Sequence, residues 1–213
     1  MRHAVARGKR IRPHLIDAVE RACTPDAAPA SDDALRLGVA VELVHKASLI
    51  QDDLPSMDAE ITRDGEPTTH NAFSPGAAVL ASDVMLARAF AVAASVRRGR
   101  DSVTDLALAI SSMCVGQCLD LASTRDQDQA VWLEACDQKT GALFAACARL
   151  GLHAADVDGG MLRDRAELLG LCVGRVFQLL DDLADGDPCP SAESLIDQAI
   201  ADYLGAAAAF PNP

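Results

Sequence analysis

The sequence predicts an all-α protein, a single domain over residues 1–213. Three observations predict it. Forty of the 213 residues are alanine, the strongest helix former. Aromatic residues make up only 3%, and the residues that favour strands are sparse. Apolar residues recur at helical spacing between glycine and proline breaks, with no repeat at a fixed period. Half of the residues are hydrophobic, enough for a sizeable core.

The elements follow from the punctuation. A first helix over 10–23 starts after Gly8 and tolerates Pro13 in its first turn. Residues 24–33 are a connector, and Ser31 or Asp32 caps the next helix. That helix runs over 33–53, with Leu35, Val39, Leu43 and Ala47 on one apolar stripe. Pro55 ends it. Residues 54–69, with Gly65 and Pro67, form a polar loop. Helices over 76–97 and 102–122 are divided by the RRGR turn at 97–100. Two more cover 128–153 and 160–184, separated by Gly159 and Gly160. GDPCP at 186–190 breaks the chain, and Ser191 or Glu193 opens a last helix.

Nineteen lysines and arginines against 31 acids give a net charge of −12. Such a chain is no general nucleic-acid binder, because phosphate backbones recruit basic surfaces. The seven cysteines are odd in number and contain no CxxC pair, which argues against a disulfide framework or a zinc ribbon. Cys114 and Cys118, four apart on one helix, read as reduced core thiols. The N-terminal MRHAVARGKRIRP has no apolar h-region. No run approaches the ~18 apolar residues of a membrane span. A reducing, cytoplasmic setting is expected.

Two aspartate clusters carry the chemistry. The first is Asp52, Asp53 and Asp58; the second is Asp181, Asp182 and Asp185. Asp181 and Asp185 share a helical face, with Gln178 one turn earlier. Pro55 forces a distortion that returns Asp58 towards Asp52. Packed carboxylates repel one another, and a helix C-terminus adds its own negative end. Mg²⁺ relieves that repulsion, since it binds one or two carboxylates together with substrate phosphates. Cations are grouped as phosphate binding requires: Lys9, Arg10 and Arg12; Arg63 beside Gly65; Lys139 and Thr140 before Gly141. His45 lies two helical turns before Asp52 on a similar face.

These motifs resemble a known family. GKRIRP (8–13), ELVHKASLIQDDLPSMD (42–58), RDGEPTTH (63–70), GQCLDL (116–121), KTG (139–141) and VGRVFQLLDDLAD (173–185) occur in the order found in trans-isoprenyl diphosphate synthases, the polyprenyl synthetase family. Several of these phrases are similar to those of bacterial geranylgeranyl diphosphate synthases. The resemblance implies an antiparallel helical bundle around a deep cavity, a homodimer, and Mg²⁺-dependent condensation of isopentenyl diphosphate with an allylic diphosphate. Asp52, Asp53 and Asp58 match the family's first magnesium site, and Asp181 and Asp185, with Asp182 nearby, its second. Three ions with bound diphosphate are implied. Arg63, Lys139, Thr140 and Gln178 match positions that hold the allylic diphosphate. Lys9, Arg12 and His45 match the isopentenyl diphosphate pocket. Ala47 and Ser48, both small, match the level of the cavity wall that sets chain length, which favours a C20 product over C15.

The family pattern also has departures here. Asp64 stands where a second arginine is usual, and it is expected to weaken isopentenyl diphosphate binding. The resemblance implies a domain shortened at the N-terminus and after the second aspartate motif, where a lysine-bearing segment is customary. The alternatives are a farnesyl diphosphate synthase, a non-catalytic subunit that modifies a full-length synthase, and a terpene cyclase.

Overall fold

A computed structural model of the chain describes residues 10–24, 29–122, 129–158, 160–185 and 192–211. Among them are nine α-helices, one π-turn and a two-stranded hairpin. The helices are α1 (Ile11–Cys23), α2 (Asp32–Asp52), α3 (Thr69–Ala72), α4 (Pro75–Ala93), α5 (Gly99–Ala122), α6 (Gln129–Cys136), α7 (Ala142–Ala154), α8 (Gly160–Asp185) and α9 (Ala192–Ala207). The hairpin is β1 (Thr62–Arg63) against antiparallel β2 (Glu66–Pro67). The all-α expectation holds.

Local chemistry sets the helix starts. Ser31 caps α2 by accepting a hydrogen bond from the Ala34 amide at 3.1 Å. Ser74 does the same for the Ala77 amide of α4, with Pro75 at the first helical position. α7 is the centre of the bundle. Every residue from Leu143 to His153 is buried, as befits a helix packed on all sides by α1, α2, α5 and α8. Asp105 of α5 is 1% exposed. It is held by His153 of α7 at 2.8 Å, with Arg149 of α7 and Arg163 of α8 around it.

Several sequence expectations are corrected. Leu35 and Val39 of the expected stripe are exposed, at 60% and 53%. Ala47 of that stripe is buried as expected, but its buried companions are Leu37, Val41, Val44 and Ile50. α2 meets α1, α4 and α7, so its apolar residues point in many directions and periodicity selects no single face. The 54–69 loop contains the hairpin. Asp64 and Gly65 have φ of 53° and 77°, the paired left-handed conformation of a type I′ turn that favours Asp-Gly. The expected helix over 128–153 is interrupted by a π-turn, Asp137–Gly141. Cys114 and Cys118 are exposed rather than in the core. By length and composition α4 and α5 are apolar enough to cross a membrane, against the expectation that no run is. Both pack against the bundle with part of their surface, 28% and 33% of their apolar stretches being buried, and they carry Asp83, Arg88, Asp105 and Asp120.

Candidate active site

The end of α2 builds one half of the site. Asp52 is its last residue and Asp53 its cap. Pro55 stops the helix and the chain folds back. The Leu54 amide donates to the Gln51 carbonyl at 3.1 Å, and the Asp58 amide donates to the Asp52 carbonyl at 2.9 Å. The return expected of Asp58 is therefore present. Burial pushes the Asp52 carboxyl up to about 6; Lys139 opposes this, Asp58 adds to it, Arg63 opposes and Asp53 adds.

Asp53 has a cationic neighbour. It is 4% exposed, and its Oδ1 accepts from Arg63 Nε at 2.9 Å and Nη2 at 2.7 Å. The pair ties the hairpin to the end of α2. Its Oδ1 is thus engaged by a guanidinium. Arg63, expected on the allylic diphosphate, is anchored through Asp53 while 38% of its side chain stays exposed.

The π-turn between α6 and α7 builds the other half. Lys139 reaches Asp120 of α5, and its charge acts on Asp52. The next residue faces the other way. Thr140 Oγ1 donates to Gln178 Oε1 at 2.7 Å, and Gln178 Nε2 donates to Asp182 Oδ1 at 2.7 Å. One turn of chain thus addresses both aspartate motifs. Gln178 links Thr140 to Asp182. Asp181 is exposed on α8. Lys9 and the side chain of Asp185 lie outside the described residues.

Arg12 and His45 stand near each other. The Arg12 guanidinium lies 4.5 Å over the Phe144 ring and 5.9 Å over Phe177. Its Nε is buried, with no hydrogen-bond partner among the described residues. Burial lowers its pKa, with Cys147 and Glu42 opposing. Burial also pushes His45 down to about 2, helped by Arg12, Lys46 and Arg63. His45 is a neutral imidazole at pH 7 and offers a hydrogen bond, not a charge.

Below Asp52 and Lys139 opens a cavity of about 230 Å³. Its walls include Val44, Ser48, Leu86, Ile110 and Met113, with Cys114 and Cys118 along α5. Ser48 lines it as expected. Ala47 does not: it is fully buried and packs with Ile50, Ala78 and Met85 between α2 and α4. The two residues are adjacent, but on a helix that separates them by about 100°.

Sequence reasoning passed over three residues of this region: Asp120, Asp137 and Arg175. Arg175 makes a two-pronged ion pair with Asp137, at 2.6 and 2.7 Å. Their only signals were charges inside quoted motifs or beside Lys139. Among the described residues no three His, Cys, Asp or Glu side chains close into a metal cage. The donors at hand are carboxylate oxygens, hard ligands suited to Mg²⁺, which draws the rest of its shell from water and substrate phosphate. The raised pKa of Asp52 is the mark of a half-buried carboxylate whose charged form a cation would stabilise. The residues fit that ion.

The chain is similar to known proteins over nearly its whole length. A model of the family described as polyprenyl synthetase matches residues 1–196. Geranylgeranyl pyrophosphate synthase 3, chloroplastic, of Arabidopsis thaliana is 37% identical over 224 residues, covering 98% of this chain and 59% of that protein. The geranylgeranyl diphosphate synthase of Rhodobacter capsulatus is 38% identical, covering 84% and 60%. The chain thus spans about six tenths of the length of these curated relatives. Among crystal structures, an FPP/GFPP synthase from Zymomonas mobilis superposes with a TM-score of 0.81 at 32% identity, covering 95% of this chain and 81% of that one. A geranyltransferase from Helicobacter pylori gives 0.84 at 26% identity, covering 98% and 80%. Motif order, helical fold and these likenesses converge: the chain belongs to the polyprenyl synthetase family.

Proposed function

We infer that the protein is a Mg²⁺-dependent head-to-tail prenyltransferase, which condenses isopentenyl diphosphate with an allylic diphosphate to give geranylgeranyl diphosphate. One observation carries the reading. Asp52, backed by Asp58, and Lys139 stand at the mouth of an apolar cavity, so anionic and hydrocarbon ends of one substrate are both provided for. The names of the Arabidopsis and Rhodobacter relatives support the C20 product.

In this reading Lys139 holds the allylic diphosphate, with Thr140 beside it. Arg12, its guanidinium stacked on Phe144, holds the isopentenyl diphosphate, and neutral His45 adds a hydrogen bond. Asp52 and Asp58, and Asp181 with Asp185 of the second motif, would hold Mg²⁺, three ions in all with diphosphate bound. When bound, Mg²⁺ neutralises the charge that grows on the leaving diphosphate. The allylic C–O bond breaks and its electron pair leaves with pyrophosphate. The isopentenyl double bond supplies the pair for the new C–C bond, and the proton lost from the adjacent carbon goes to pyrophosphate. The cavity walls, Val44, Leu86, Ile110 and Met113, keep water from the cation.

The exposed apolar side chains Leu80 and Val84 of α4, and Leu108 and Val115 of α5, support a homodimer that buries them. Cys23, Cys114, Cys118, Cys147 and Cys172 are free thiols, the state a reducing cytoplasm maintains. The test is to incubate the protein with Mg²⁺, isopentenyl diphosphate and C5, C10 or C15 allylic diphosphate, and to measure product length. A C20 product is expected. No elongation from any primer refutes the reading, and activity only with an added synthase favours a modifying subunit. The Asp64 substitution in the hairpin turn is the observation that keeps that second reading in the test.

A further inference from the structure

We propose that the Asp137–Arg175 ion pair is a positioning device: it sets the π-turn, and through it Lys139 and Thr140, for the allylic diphosphate. The identity of that ligand rests on the prenyltransferase reading. The π-turn departs from the α-helical ladder and needs surroundings that hold it. It lies in a slot with glycine on both walls. A Cβ on Gly116 of α5 would fall 2.2 Å from the Lys139 amide nitrogen, and one on Gly174 of α8 would fall 2.6 Å from Gly141 Cα. Backbone therefore meets backbone on both sides. Glycine walls give room, but they offer no side chain to fix the turn's register.

Arg175 supplies that hold. Its Nε donates to Asp137 Oδ1 at 2.6 Å and its Nη2 to Oδ2 at 2.7 Å, and such a fork fixes both distance and plane. The side chains are 29% and 24% exposed, so water competes only in part. Asp137 is the first residue of the turn. Arg175 and Gln178 are three apart on α8, on neighbouring positions of one face. The same helix thus grips the turn at Asp137 and, through Gln178, at Thr140. Lys139 lies between the two grips and projects to the opposite side, to Asp120. Arg175 acts on the reaction only through this chain of contacts.

The test compares Arg175→Leu, Arg175→Lys, the single charge changes Asp137→Arg and Arg175→Asp, and the swapped pair that combines those two. Two readouts are taken: kcat and KM for each substrate, and amide hydrogen exchange over 137–141. Arg175→Leu should lower kcat about 10- to 100-fold, the cost of a displacement near 1 Å. It should raise KM for the allylic diphosphate while leaving KM for isopentenyl diphosphate as it was. Exchange should quicken at 137–141 and not across α1 or α2. Arg175→Lys, with charge but no fork, should recover part of the loss, and the swap should exceed either single charge change. Equal changes in both KM values, or unaltered exchange at 137–141 in Arg175→Leu, would overturn the proposal. If the unmodified protein elongates no primer, the prenyltransferase reading fails, and the exchange experiment alone still decides whether the pair holds the turn.

Discussion

Gly116→Ala should separate a tight fold from a tight active site. The added Cβ would meet Lys139 N at 2.2 Å, Gln138 C at 2.7 Å and Lys139 Cα at 2.7 Å. All three are backbone atoms, so no side chain can swing aside. Restoring an ordinary contact of roughly 3.5 Å requires the Lys139 backbone to retreat by about 1.3 Å. A displacement of that order at a positioning group costs roughly 100-fold in rate, or about 2.7 kcal/mol of barrier. Overpacking costs about 1–3 kcal/mol of stability, which lowers Tm by about 2–4 °C for each kcal/mol in a chain of this size. Turnover is read from pyrophosphate release and Tm from circular dichroism at 222 nm. Gly205→Ala is the matched control. It sits in α9 with nothing within 4 Å of the new Cβ, so it should add about 0.4–1 kcal/mol and leave kcat untouched. Wild-type kcat and Tm in Gly116→Ala would refute the close approach and the rate argument together.

Three further outcomes are expected. His45 is held near 2, below the roughly 6.5 of an unfolded histidine, so as pH falls below 6.5 the unfolded chain gains a proton that the folded chain refuses. Stability should fall by up to about 1.4 kcal/mol per pH unit from this group; urea titrations of His45→Gln should show a shallower fall between pH 6.5 and 5.5, and identical slopes would count against it. In a Cys189→Ser background, maleimide should label Cys114 and Cys118 before buried Cys136, Cys147 and Cys172; burial also pushes the Cys147 thiol up to about 12, so peptide mapping that finds Cys147 modified as fast would be contrary. Ser48→Phe should shorten the product by filling the cavity, whereas Ala47→Phe should destabilise the core by about 1–3 kcal/mol; the reverse pattern of product length would put the cavity on the other side of α2.

Much of this molecule is legible from local chemistry alone. Ser31 is a cap because its hydroxyl reaches the Ala34 amide, a donor that the first turn of α2 leaves without a backbone acceptor. The return of Asp58 to Asp52 is written in Pro55, which removes an N–H and forces the chain off the helix axis. Alanine content and break spacing are enough for the helical class. Legibility fails where a residue's meaning depends on what stands across from it. Leu35 and Val39 have the same hydropathy whether or not a helix covers them. α2 is apolar around most of its circumference, so no period picks the covered side.

The site divides along the same line. Motif spacing brings Asp52 and Asp58 together because both lie within one turn and its return. It is silent on Asp53, whose neighbour Arg63 is ten residues away, and on Asp137 and Arg175, separated by 38. A π-turn adds one residue to a helical turn, a shift too small for hydropathy to register in the run from 129 to 154. Yet that shift sends Lys139 towards α5 and Thr140 towards α8. The carboxylates announce the chemistry, because clustered charge of one sign has few structural uses. The cations that complement them are named by their motifs, but what each one touches is read only from the fold, because a lysine on a surface and a lysine over a cavity are the same letter. Substitutions at Gly116 and Arg175 bear on that second kind of information, since neither changes a group that would touch substrate.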